Sequence, residues 1–82
     1  MKFRNLLPGD VVTLLDTRSV VLAIQSPHPL NPDFWLIIFY VFEDGGRTSF
    51  DMLHPNYDLI PGTRVTRDGM VTYREAMEAM RR

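Results

Sequence analysis

Along this chain, apolar residues gather in short runs separated by turn-forming residues. Turn signals stand at Pro8-Gly9-Asp10, Asp16-Thr17-Arg18-Ser19, Ser26 to Asp33, Asp44-Gly45-Gly46, His54-Pro55-Asn56, Pro61-Gly62 and Asp68-Gly69. Short runs of Val, Ile, Leu and Phe bounded in this way read as the strands of a sandwich or barrel. The pattern predicts strands at Val11 to Leu15, Val20 to Gln25, Phe34 to Glu43 and Arg47 to Leu53. A fifth is predicted at Tyr57 to Ile60, with a resumption at Arg64 to Thr66. Most connections are shorter than the dozen residues a parallel crossover needs, so antiparallel neighbours are expected.

The third run carries the most information. A half-buried antiparallel strand alternates apolar and polar residues, but Phe34 to Phe42 is apolar at all nine positions. A two-residue turn at Asp44-Gly45 would set Phe39 opposite Phe50, Ile37 opposite Met52 and Val41 opposite Thr48, a sensible interior. Phe34, Leu36, Ile38, Tyr40 and Phe42 would then point outward. A three-residue turn would exchange the two faces and leave the same surplus. Large side chains in that number make a patch of roughly several hundred Å², more than monomers usually expose. A terminal helix, a second copy of the chain or another protein is expected to cover it.

The tail has a different period. Thr72-Tyr73-Arg74-Glu75 has the spacing of a capping box. Tyr73, Ala76, Met77 and Met80 follow at helical spacing. Arg81 and Arg82 suit the negative end of a helix dipole. The rival for this region is a hairpin of Arg64 to Arg67 with Met70 to Tyr73 around Asp68-Gly69, and both can coexist if the helix follows a short return strand. A helix this short is marginal alone in water and must pack on something. Folding back onto the Ile38-Tyr40 face or an open barrel end is the preferred arrangement.

Short antiparallel strands in this order resemble the SH3-like small β-barrel over roughly residues 8 to 66. The residues carrying the resemblance are Pro8-Gly9-Asp10-Val11-Val12, the hairpin Glu43-Asp44-Gly45-Gly46-Arg47, and His54-Pro55-Asn56-Tyr57, where such barrels place a 3₁₀ turn. The resemblance implies a mostly β fold: a five-stranded antiparallel SH3-like barrel with a short C-terminal helix at 72–82. SH3 peptide-binding domains have an acidic first loop and an Ala-Leu-Tyr-like start. Neither occurs here, so their peptide-groove residues do not carry over. Arginine outnumbers lysine eight to one, a bias of GC-rich genomes, and the chain also resembles short proteins of actinobacterial phages.

At 82 residues the chain is expected to be one domain. Its 45% hydrophobic and 23% charged residues belong to a globular chain. No apolar run approaches the roughly 20 residues of a membrane helix. Without cysteine, disulfide scaffolds, thiolate metal sites and cysteine nucleophiles are excluded. The amino terminus shows neither an extended apolar stretch nor a small-residue cleavage site, so the expected compartment is the cytoplasm, that of the host if the chain is phage-encoded.

Candidate chemistry is sparse. Ser49, Asp51 and His54 can be drawn as a triad, but no glycine-rich elbow stands beside them. Asp51, His54 and Asp58 lack tight metal-ligand spacing. Gly45-Gly46 suit a hairpin rather than a phosphate loop. Pro29-Leu30-Asn31-Pro32 formally matches P-x-x-P, although its prolines serve chiefly to stiffen a long loop, itself a reasonable contact site. Neither enzyme activity, cofactor nor metal is expected. Basic residues concentrate at the end: residues 1–62 hold four Lys/Arg against seven Asp/Glu, and residues 63–82 five against three. Arg64, Arg67, Arg74, Arg81 and Arg82 are the candidates for binding nucleic acid, against the plainer reading of solvated positions with Arg74 near Glu78. The function expected foremost is a non-catalytic protein-interaction module, a homodimer that also binds a host or virion protein. Its expected interface is Phe34, Leu36, Ile38, Tyr40, Phe42, Tyr73, Met77 and Met80.

Overall fold

The computed structural model describes residues 1–67 and 70–81. Its strands are β1 (Val11–Leu14), β2 (Thr17–Gln25), β3 (Trp35–Val41), β4 (Arg47–Leu53) and β5 (Arg64–Thr66), and its helix is α1 (Met70–Met80). The five strands form one antiparallel sheet in the order β4-β3-β2-β1-β5. The protein is thus mostly β with one short C-terminal helix, as the turn spacing predicts. The sheet does not close: β4 and β5 are its two edges, so the expected barrel is an open sheet.

Four local expectations are corrected. The first hairpin turns at Leu15-Asp16, so Thr17 to Ser19 are strand. Tyr57 to Ile60 is no sheet strand, because its backbone is taken by the amino terminus: the Phe3 N–H donates to the Tyr57 carbonyl at 2.8 Å, and the Leu59 N–H to the Met1 carbonyl at 2.9 Å. His54 to Tyr57 is a turn closed by the Tyr57 N–H on the His54 carbonyl at 3.0 Å, while 3₁₀ segments fall at Phe3–Asn5 and Glu43–Gly45. Helix α1 begins at Met70, which places Thr72 inside its first turn and removes the rival return strand. The Asp68-Gly69 turn and Arg82 lie outside the described residues.

Both faces of the sheet are buried over its central strands, each under different cover. On one face Val21, Ile37 and Phe39 pack with Phe3 and Leu6 from the amino terminus, and Val12, Leu59 and Val65 surround them. On the other, Val11, Val20 and Tyr40 pack against Ala76 of the helix, with Tyr73, Ala79 and Phe42 around them. This two-sided burial is why β3 lacks an alternating pattern: Phe39, Tyr40 and Val41 are consecutive and all buried. Of the expected stripe Tyr73, Ala76, Met77 and Met80, the helix contacts the sheet through Tyr73 and Ala76, joined by Ala79 in place of the methionines. Alanine lets the helix axis approach the sheet closely, whereas Met77 is half-buried and Met80 exposed.

One buried carboxylate ties the amino-terminal turn before β1 to the chain after β5. Asp10 is 3% exposed. Its Oδ2 accepts from the Leu7 N–H at 2.8 Å and lies 3.9 Å from the Arg67 guanidinium. Arg67 also donates to the Asn5 carbonyl at 2.7 Å, fastening the chain after β5 to the amino-terminal turn.

Candidate interaction surface

The register of β4 on β3 decides which apolar groups remain uncovered. Ile38 lies opposite Phe50, Leu36 opposite Met52, and Phe39 opposite Ser49. This is one residue off the pairing that a two-residue turn would impose, because the loop passes through the 3₁₀ segment Glu43–Gly45. A one-residue slip sends a strand's side chains to the other face. Phe50 and Met52 are therefore not interior: they are 68% and 43% exposed. Ser49 and Asp51 take the Phe39 face instead.

On the helix-bearing face, α1 packs mainly over β2 and reaches Tyr40, leaving the β3–β4 end bare. Leu36, Ile38 and Phe50 line a shallow groove of about 490 Å³ there, closed at one side by His28. Met52, opposite Leu36, extends the apolar strip along β4. His28 is set by its own loop: its Nδ1 accepts from the Leu30 N–H at 3.0 Å, and its N–H donates to the Phe34 carbonyl at 2.8 Å. The stiff Ser26 to Asp33 connection thus forms one wall of the groove, with Leu30 exposed at its tip.

Of the residues proposed for an interface, the structure groups Tyr40, Phe42 and Tyr73 beneath or beside the helix. The Tyr40 and Phe42 rings meet edge to face with centroids 5.0 Å apart, and the Arg18 guanidinium stacks 4.6 Å from the Phe42 centroid. Leu36 and Ile38 stay half-buried at the groove, and Phe34 is half-buried beyond the start of β3. Phe50 and Met52 belong to the strip, although a two-residue turn predicts them inside. The polar alternation Arg47, Ser49, Asp51 sets Phe50 and Met52 together on one face of β4, but no signal in the sequence marks that face as the uncovered one.

Of the polar candidates, His54 and Asp58 are held by local partners. His54 Nδ1 accepts from the Asn56 N–H at 3.1 Å, which commits it to its own turn, and its ring lies against Tyr57. Asp58 pairs with Lys2 at 3.1 Å. Among the described residues, no group of three or more His, Cys, Asp or Glu is placed to hold a metal, and no helix is long and apolar enough to cross a membrane. Of the terminal arginines described, Arg64, Arg67, Arg74 and Arg81 are all exposed, and Arg67 is in addition engaged by Asp10 and Asn5.

Compared with protein-family models, with curated proteins and with solved structures, the chain matches none.

Proposed function

We propose that this chain is a non-catalytic protein-interaction module that self-associates and docks through the apolar strip of Leu36, Ile38, Phe50 and Met52. The observation that carries this reading is Phe50, a phenylalanine 68% exposed on an edge strand beside an apolar groove. Exposed aromatics next to a preformed groove are the usual anchors of protein interfaces. The resemblance to short phage proteins extends the reading to a host or virion partner. Nucleic-acid binding by the terminal arginines has weaker support, because Arg67 is already held by Asp10 and the Asn5 carbonyl.

Light scattering after size exclusion, run from low to high micromolar concentration, tests self-association. The wild-type mass should rise toward twice that of the 9.5 kDa chain. Phe50→Glu should hold the mass at one chain while the melting temperature stays close to wild type, since Phe50 supports no core. A wild-type chain that remains monomeric throughout, or a Phe50→Glu variant that associates as well as wild type, would overturn the reading.

A further inference from the structure

We infer that the second copy docks edge to edge, with β4 pairing antiparallel to its own twin about a two-fold axis at Ser49. This rests on the self-associating reading above and adds to it the strand, the register and the residues that set it. The pairing would fuse two five-stranded sheets into one of ten strands.

The two edges of the sheet are unlike. β5 has three residues and carries Arg64, and short, charged edges are the common protection against unwanted pairing. β4 has seven residues with neither proline nor lysine, and its register against β3 is unbroken from Trp35–Leu53 to Val41–Arg47. It presents a full row of outward backbone groups with no bulge to turn them aside, the template that strand addition uses.

The charges on β4 select the register. In antiparallel pairing of a strand with itself, the outward-facing N–H and C=O groups recur at every second residue, so the two-fold axis must fall on a residue. Centred on Ser49, the pairing sets Arg47 opposite Asp51 of the other copy, and by symmetry Asp51 opposite Arg47. Both charges of the strand are then matched, on the face they share with Ser49. Neither has an ionic partner within its own chain among the described residues. Centred one residue later, on Phe50, Arg47 would instead face Leu53 and Asp51 would face Ser49, leaving both charges unmatched. On the opposite face the Ser49-centred register sets Phe50 across from Thr48 of the twin and diagonal to the twin's Phe50. Diagonal neighbours lie within reach of aromatic side chains, so the two exposed rings cover one another and the apolar strips of the two copies become continuous.

The absence of native cysteine allows the register to be read directly. In the Ser49-centred dimer the two Cα atoms of residue 49 lie about 4.5–5.5 Å apart, inside the range a disulfide spans. Ser49→Cys should therefore form a covalent dimer under mild oxidation. Phe50→Cys should form one at least about tenfold more slowly, because its two Cα atoms would sit more than about 7 Å apart. Charge reversal is the second measurement. Arg47→Glu and Asp51→Arg each replace two attractions with two repulsions and should weaken the dimer about tenfold, whereas the double variant restores opposite pairs and should recover most of the wild-type affinity. Faster cross-linking at Phe50→Cys than at Ser49→Cys, or single reversals without effect on a protein that still dimerises, would overturn this register and leave self-association standing. A wild-type chain that never dimerises would overturn both.

Discussion

Phe39 and Phe50 are the same residue type with opposite surroundings, 8% and 68% exposed. Phe39→Ala should cost about 3–5 kcal/mol, the transfer term plus a cavity beside Val21 and Ile37. Phe50→Ala should change stability by no more than about 0.5 kcal/mol when measured dilute enough to keep the chain monomeric. Equal losses in thermal melts of the two variants would contradict the register. Two glycines allow a similar contrast. Gly45 and Gly46 both have positive φ, +84° and +94°. A Cβ at Gly45 meets open space, while one at Gly46 runs into the Tyr40 hydroxyl and ring. Gly45→Ala should thus cost only the backbone strain, about 1–2 kcal/mol. Gly46→Ala should cost a further ~1–3 kcal/mol as Tyr40 is pushed off its helix contact. Chemical denaturation of both variants provides the check, and equal losses would mean that Tyr40 yields freely. Leu15 is the one described non-glycine residue with positive φ, at 55°, and it is 87% exposed at the first turn position, where glycine is common.

At the scale of elements, sequence and structure agree where turn residues punctuate the chain and part where one residue of register matters. β4 is placed at Arg47 to Leu53 by pattern and by structure alike, because Gly46 and His54-Pro55 bound it. Which face of β4 turns inward was not legible. Asp44-Gly45-Gly46 admits turns of more than one length, and a single residue exchanges Phe50 for Ser49. The apolar excess of β3 was legible and correctly demanded cover on both sides. That the amino terminus provides one cover was not, since Phe3 and Leu6 form no periodic run. The helix is legible from its spacing, and Ala76 with it, but the contact of Ala79 is not, because the larger Met77 and Met80 continue the same apolar stripe. Ala76, wholly buried against Val11, Val20 and Tyr40, is the position where the helix rests on the sheet. Ala76→Leu should therefore destabilise by about 1–3 kcal/mol through overpacking. Deleting residues 73–82 should lower the melting temperature and cause aggregation, because Val20 and Tyr40 lose their cover. A truncated chain that melts and stays dispersed like the full one would show that α1 contributes nothing to that face.

For the whole molecule, the two apolar clusters are not independent bodies. Val20 and Val21 are neighbours on β2 and point to opposite faces, and Phe39 and Tyr40 do the same on β3. Neither cluster can lose its β2–β3 pairing without unpacking the other. The 82 residues should consequently unfold in one cooperative step rather than shed the helix first. Two signals report on opposite ends of this coupling. Helical ellipticity follows α1, on the Val20 face. Fluorescence follows Trp35, the single tryptophan, which pairs with Leu53 at the far end of β3. The two curves should coincide in urea. If β4 joins two copies, their shared midpoint should rise with protein concentration, because a partner that binds only the folded chain stabilises it by mass action. Loss of ellipticity at lower urea than the fluorescence change would identify α1 as a detachable element. The Val11, Val20 and Tyr40 face would then become a second apolar surface, uncovered in the partly unfolded chain. A coincident but concentration-independent midpoint would keep the single cooperative unit and remove the dimer.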